Sequence, residues 1–258
     1  MRLLMVGDVV GAPGRRAVRE NIPALRTELG IDFVVANGEN AAGGNGITRE
    51  VARELFSYGV DALTMGNHVW NHREAYGYVD GEERLVRPAN YPAGAPGAGM
   101  RLFAVGGVKI AVVNCSGRVF MAPLDCPFRA MDGILDELAG RAHIILVDFH
   151  AEATSEKVAM GWYLDGRVTA VFGTHTHVQT ADERLLPGGT AYITDVGMTG
   201  PRDSVIGVKK ETVLEKFITQ LPHRFEVAGG PYQFNAVLVE ADAESGRALA
   251  VERIQNYE

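Results

Sequence analysis

Seven short apolar runs punctuate this chain, and each stops abruptly at a polar or glycine residue. They are "RLLMVGD", "DFVVANG", "DALTMGN", "KIAVVNC", "AHIILVD", "VTAVFGT" and "TAYITDV". Continuous β-branched runs of this length predict strands buried on both faces, as in the sheets of α/β proteins. Helical periodicity fills several gaps. "RRAVRENIPALRTELG" carries Val18, Ile22, Leu25 and Leu29 on one face, with Gly30 as a stop signal. "TREVARELFSYG" has Thr48 as a cap ahead of Val51, Leu55 and Phe56, and "FRAMDGILDELAG" repeats the pattern at Met131, Ile134, Leu135 and Leu138. Strands alternating with helices imply βαβ units with right-handed crossovers in a layered α/β fold. The end of the chain differs: "FNAVLVEADAESGRALAVERI" predicts an antiparallel hairpin about an "ESG" turn. The Pro- and Gly-rich stretch 87–101 predicts a surface excursion.

At 258 residues and 47% hydrophobic, the chain suits one large α/β domain or two small ones. We take 1–258 as a single domain. No run is long enough to span a bilayer, and "MRLLMVGDVV" reads as a first strand and not as a signal peptide. Cys115 and Cys126 are the only cysteines, so a disulfide framework is not expected and the cytoplasm is the expected location. A net charge of −7 without a Lys/Arg cluster argues against non-specific nucleic-acid binding. A protein of this charge that handles phosphates needs cations from another source, and metal ions would supply them.

The placement of the polar residues is the functional signal. Asp8, Glu39, Asn67, His68, His150, His175 and His177 each lie just beyond an apolar run, and four of the seven histidines are among them. Ligands of α/β folds bind at that edge of the sheet. Carboxylate, imidazole and amide oxygen together suit Mn, Fe, Co or Zn. "THTH" (174–177), read as an extended segment, projects its two imidazoles to one side. The set is too large for one catalytic ion and sufficient for two sharing a bridging carboxylate, an arrangement that clamps both oxygens of a phosphoryl displacement. Taken singly, each residue has a plainer reading: Asp8 as a helix cap, Asn67 as a turn residue, His150 as a core histidine. His72, His143 and His223 are read as structural. "GDVVGAPG" lacks the glycine register of a dinucleotide-binding turn.

The ordered set "GD" (7–8), "GEN" (38–40), "GNH" (66–68), "FH" (149–150) and "GTHTH" (173–177) resembles the calcineurin-like metallophosphoesterases. The chain departs from their pattern at Val10, where a metal-binding His is usual. It departs again at Glu39, which replaces Asp, and at Val69, where an acid normally supports the preceding His. These departures, with "NGENAAGGNGIT", "ATSEK" and "TDVGMTGP", resemble the YmdB-like subfamily, bacterial phosphodiesterases of cyclic nucleotides. The resemblance implies a β-sandwich of two mixed sheets flanked by α-helices, a four-layer αββα fold that the strand and helix pattern alone does not separate from one doubly wound sheet. It implies two divalent ions, Fe or Mn ahead of Zn and Co. Asp8, Glu39 and His177, with Asn40 in place of the absent His, would hold the first. Glu39, Asn67, His150 and His175 would hold the second. His68 would protonate the leaving oxygen.

The implied substrate is a 2′,3′-cyclic nucleotide, with 3′,5′-cyclic forms also in range. A phosphomonoesterase and a metal-bound regulatory scaffold are the alternatives, and assembly into a homo-oligomer is left open. The glycines around Glu39 are expected to let the backbone bend there. Segments 87–101 and 116–128 are candidates for shaping the substrate pocket.

Overall fold

The computed structural model describes all residues 1–258. Fourteen strands form two mixed sheets. The first runs in the order β2 (Asp8–Val9), β12 (Met198–Pro201), β13 (Tyr232–Ala241), β1 (Arg2–Val6), β3 (Phe33–Asn37), β4 (Ala62–Thr64) and β5 (Leu85–Val86), with β14 (Ala248–Tyr257) also paired to β13. The second runs β10 (Arg184–Leu185), β11 (Ala191–Ile193), β9 (Ala170–Thr174), β8 (Ile144–His150), β7 (Val108–Ser116) and β6 (Met100–Val105). Strands β1, β3, β4 and β5 are parallel to one another, as are β7, β8 and β9. The expected hairpin is β13–β14, antiparallel from Gln233↔Tyr257.

The strand period of two explains why the apolar runs are continuous. Leu3, Met5, Phe33 and Val35 face a core between the sheets, where they meet Ile110, Val112, Leu146 and Phe172. Their neighbours Leu4, Val6, Val34 and Ala36 face a second core under helices α1 (Gly11–Leu29) and α2 (Arg49–Ser57). On the far side Ala111, Val113, Val147, Phe149 and Val171 pack with Met131, Leu138, Met160 and Leu164 of α4 (Pro127–Leu138) and α5 (Thr154–Leu164). The result is the four-layer αββα sandwich, not one doubly wound sheet. Short α3 (Ala75–Gly81) joins the α1 side, and α6 (Lys210–Thr219) precedes β13.

Two helix signals act as expected. Thr48 Oγ1 accepts the Val51 N–H at 3.2 Å, and Gly30 closes α1 in the left-handed conformation (φ 61°). No helix is long and apolar enough to cross a membrane. The fold delivers the carboxyl ends of β1, β3 and β4 from one sheet, and of β8 and β9 from the other, to a common edge.

Phe172 stands at the centre of the inter-sheet core and is 2% exposed. Phe172→Ala is expected to destabilise the protein by about 3–5 kcal/mol, from lost burial plus the cavity left behind. Urea denaturation followed by circular dichroism measures this.

Candidate metal centre

The tightest cluster joins Glu39, Asn67, His150 and His175. His150 Nε2 lies 2.9 Å from Glu39 Oε1, 3.1 Å from Asn67 Oδ1 and 3.0 Å from His175 Nδ1. Ligand atoms of Glu39, His150 and His175 all fall within 4.8 Å of one another, close enough to share one cation. Four atoms that are naturally acceptors thus face a single point, nearly all of it buried.

The outer nitrogens explain why the inner ones are free. His150 Nδ1 is 2.9 Å from Thr174 Oγ1, whose own proton goes to Asp148 Oδ1 at 2.6 Å. His150 Nδ1 must therefore donate, which leaves Nε2 aimed inward. His175 Nε2 pairs with Glu152 at 3.1 Å, and His177 Nδ1 bonds the Ile206 carbonyl at 3.0 Å. Each ring is tied from behind, the arrangement that fixes tautomer and orientation in metal-binding histidines.

A second group lies beside the first. Asp8 is fully buried, and its Oδ1 sits 3.9 Å from His177 Nε2 and 3.9 Å from His150 Nδ1. Asp8 Oδ1 and Asn40 Oδ1 are buried with no hydrogen-bond partner. Asn40 turns its nitrogen to the Gly44 carbonyl at 3.1 Å, so that its oxygen is the unpaired atom. Orphaned buried acceptors are costly, and a cation would satisfy both. Gly66 completes the cradle: a Cβ there would stand 2.3 Å from the His150 ring and 2.4 Å from Glu39 Oε2. The residues present therefore fit divalent ions.

Titration behaviour has the same origin. Burial pushes Asp8 up to about 6, against the opposing pull of the His177 and His150 rings. Burial also works to raise Glu39, but the His150 ring and the His68 N–H outweigh it and bring Glu39 down to about 2. For His150 burial favours the neutral form, yet Glu39, Asp8 and Asp148 outweigh it and lift the ring to about 9. His175 is held down at about 3 by burial and by the neighbouring His150 charge. A proton on His150 thus supplies part of the positive charge this cluster calls for.

One expectation about local geometry is corrected, and another holds in part. "THTH" is not extended: β9 ends at Thr174, and His175 (φ 94°) and His177 (φ 64°) both adopt left-handed backbone. Through that irregular turn, and not through strand alternation, His175 reaches His150 and His177 faces Asp8. The bend expected from the glycines around Glu39 holds on the downstream side only, since Gly38 keeps an ordinary φ. It comes from Gly43, Gly44 and Gly46, at φ 69°, 92° and 81°. Asn37 Oδ1 instead receives the Glu39 N–H at 3.1 Å and sets the turn that aims the acid.

His68 stands apart from the cluster. Its backbone N–H donates to Glu39 Oε2 at 3.0 Å, while its Nδ1 contacts Asn45 and Asn71. Those amides occupy the supporting place that Val69, fully buried, does not fill. His72, His143 and His223 stay outside: His72 Nε2 reaches the Ala42 carbonyl, His143 accepts the Lys109 N–H, and His223 is near Glu215.

Sequence reasoning missed the supports. Asp148, 2% exposed, accepts from Asn37 at 2.9 Å and from Thr64 and Thr174. Lys157 Nζ bonds Asp195 Oδ2 at 2.7 Å in a buried pair, and the same carboxylate accepts the N–H and Oγ1 of Thr176, between the two histidines. The available signal was a charged residue inside an otherwise apolar strand, "IILVDFH".

The sandwich and the ligand cluster at its edge define a metallophosphoesterase-type protein. The chain belongs to the YmdB-like family, whose model matches residues 4–254. It is 51% identical over 254 residues to a 2′,3′-cyclic-nucleotide 2′-phosphodiesterase of Bacillus subtilis (strain 168), covering 98% of this chain and 96% of that protein. A hypothetical protein from Thermus thermophilus superposes with a TM-score of 0.94 at 48% identity, both chains covered in full. A phosphatase from Mycoplasma pneumoniae also gives 0.94, at 35% identity over 100% of this chain and 93% of that one.

The protonation pattern and the support behind His150 can both be tested through metal binding. Binding at pH 7 is expected to release roughly one proton, displaced from His150, and more near pH 5.5, where Asp8 is also protonated. Affinity accordingly falls as pH drops through about 9 and again through about 6. Calorimetry in buffers of different ionisation enthalpy counts those protons. Thr174→Val, which removes the acceptor behind His150, is expected to weaken metal binding about ten- to hundredfold, read by competitive chelator titration.

Proposed function

We propose that this protein is a dinuclear-metal phosphodiesterase that opens the cyclic phosphate of 2′,3′-cyclic nucleotides, working as one metallophosphoesterase domain in the cytoplasm. The observation that carries the reading is the convergence of Glu39, Asn67, His150 and His175 on one buried point, beside the orphaned oxygens of Asp8 and Asn40. The 51% identical Bacillus subtilis phosphodiesterase supports the substrate class. Bound there, two divalent ions would supply the Lewis acidity that activates water and screens the phosphoryl charge.

Asp8, Asn40 and His177 would hold one ion, Asn67, His150 and His175 would hold the other, and Glu39 would be available to both. Glu39 is kept ionised by the His150 ring and the His68 N–H, as a shared ligand requires. His68 is the proton donor to the leaving sugar oxygen. Its Nδ1 is engaged by Asn45 and Asn71, which leaves Nε2 as the atom that delivers the proton. Water attacks phosphorus, the bond to the 2′ oxygen breaks, and a nucleoside 3′-phosphate leaves.

His68→Ala is expected to keep its full metal content while kcat falls about 10²–10⁴-fold. Elemental analysis beside steady-state kinetics tests this, and loss of metal would make His68 a ligand. Comparing 2′,3′-cyclic AMP, 3′,5′-cyclic AMP and para-nitrophenyl phosphate on one preparation tests the substrate class. The 2′,3′-cyclic ester should be the best of the three, and preference for the monoester would overturn the reading. Chelation should abolish turnover, and Asp8→Ala should reduce it to background; turnover surviving both would refute the metal role.

A further inference from the structure

Beside the metal centre opens a cavity of about 520 Å³, within the range of ordinary small-molecule sites. Segments 87–101 and 116–128, expected to shape a substrate pocket, contribute nothing to it. Its inner wall is the site itself: Asn40, His68 and His177. Its outer wall comes from a part of the chain that carries none of the strand-end motifs. Helix α6 supplies Phe217, and the segment returning from it toward β13 supplies Phe225 and Val227.

These two aromatic rings are unusually exposed for their size. Phe217 is 72% exposed and Phe225 45%, although the backbone carrying them is well anchored. Val213 of α6 is buried, the Lys209 N–H bonds the Glu226 carbonyl at 3.0 Å, and the Ala228 N–H bonds the Gly207 carbonyl at 2.9 Å. The fold therefore holds the Phe217 ring in water at the rim of a phosphoryl-transfer site, beside the half-exposed Phe225, over whose ring the Lys216 ammonium stands 4.6 Å from the centroid. When the phosphate of a cyclic nucleotide sits at the metal ligands, the rest of the molecule must extend along one of the walls that adjoin them. The wall lined by Asn40 and His177 leads to the phenylalanines.

We propose that this cleft seats the nucleobase, with Phe217 and Phe225 as the faces against which it stacks. The proposal rests on the cyclic-nucleotide reading above and adds to it a subsite for the base. Stacking on an aromatic face is sensitive to the presence of a base and tolerant of which base it is. The phenylalanines thus bind the base while Asp8, Glu39 and the histidines address the phosphate.

The test compares adenosine 2′,3′-cyclic phosphate with the cyclic phosphate of 1-O-methylribose, which lacks the base. Both are assayed on wild type, Phe217→Ala, Phe225→Ala and Phe217→Tyr. Because Phe217 is largely exposed, its replacement leaves the packed layers intact. Each alanine variant should lose roughly tenfold in kcat/KM on the nucleotide, mostly through KM, and less than about twofold on the abasic ester. Phe217→Tyr should restore the nucleotide rate. Equal losses on both substrates, or none on either, would overturn the base seat and leave the phosphodiesterase reading standing. A wild type that hydrolyses neither cyclic ester would overturn both. Sedimentation of the same variants covers the other occupant: if Phe217→Ala dissociates an oligomer and leaves nucleotide kcat/KM unchanged, the face binds a second copy and the proposal fails.

Discussion

Everything at the functional edge depends on one electrostatic constraint: several lone pairs are aimed at the same buried point. Glu39, Asn67 and His175 each bring an acceptor atom to within about one hydrogen-bond length of His150 Nε2. Without positive charge between them, such atoms repel one another and lose solvation without recompense. A proton on His150 answers part of that demand. The orphaned oxygens of Asp8 and Asn40 show that it answers only part.

Holding that geometry requires a frame that cannot relax. Behind His150, Thr174 passes a hydrogen bond to Asp148 Oδ1, and Asn37 and Thr64 donate to the other oxygen of that carboxylate. Because these residues come from β3, β4, β8 and β9, the network ties the two sheets together at the edge where the ligands gather. The turn bearing His175 and His177 adopts left-handed backbone at both histidines, a conformation costing on the order of 1–3 kcal/mol per residue. Thr176, clamped by Asp195 and Lys157, holds the turn from between them. A buried ion pair is a poor source of net stability but a strong geometric constraint once formed.

The layered α/β order, the strand-end placement of the polar residues and the caps at Thr48 and Gly30 were all legible in the sequence, because each is a local pattern. The two-sheet packing entered only through the resemblance, since a strand buried on both faces looks the same in a sandwich as in a single sheet. The placing of His175 and His177 at the site was expected for the wrong reason. Alternation along a strand was the rule applied, and tertiary bonds from Asp195 override it. Asp148 escaped notice because a carboxylate is acceptable in a strand only when donors from distant segments meet it, which no local window reveals. Helix α6 went unread for a related reason: Leu214, Phe217 and Ile218 remain exposed, so its apolar residues do not mark a core-facing stripe.

The departures from the superfamily pattern also find local explanations. Val10 is buried against the cavity wall, and Asn40 beside it offers the free oxygen. Asn45 and Asn71 stand where an acid after His68 is absent. The proposed function requires this edge to bind two ions through Asp8, Glu39, Asn40, Asn67, His150, His175 and His177. Anomalous diffraction from crystals of the metal-loaded protein tests it most directly. Two peaks, one among Glu39, Asn67, His150 and His175 and the other among Asp8, Asn40 and His177, are predicted. A single peak, or peaks away from these side chains, would contradict the account.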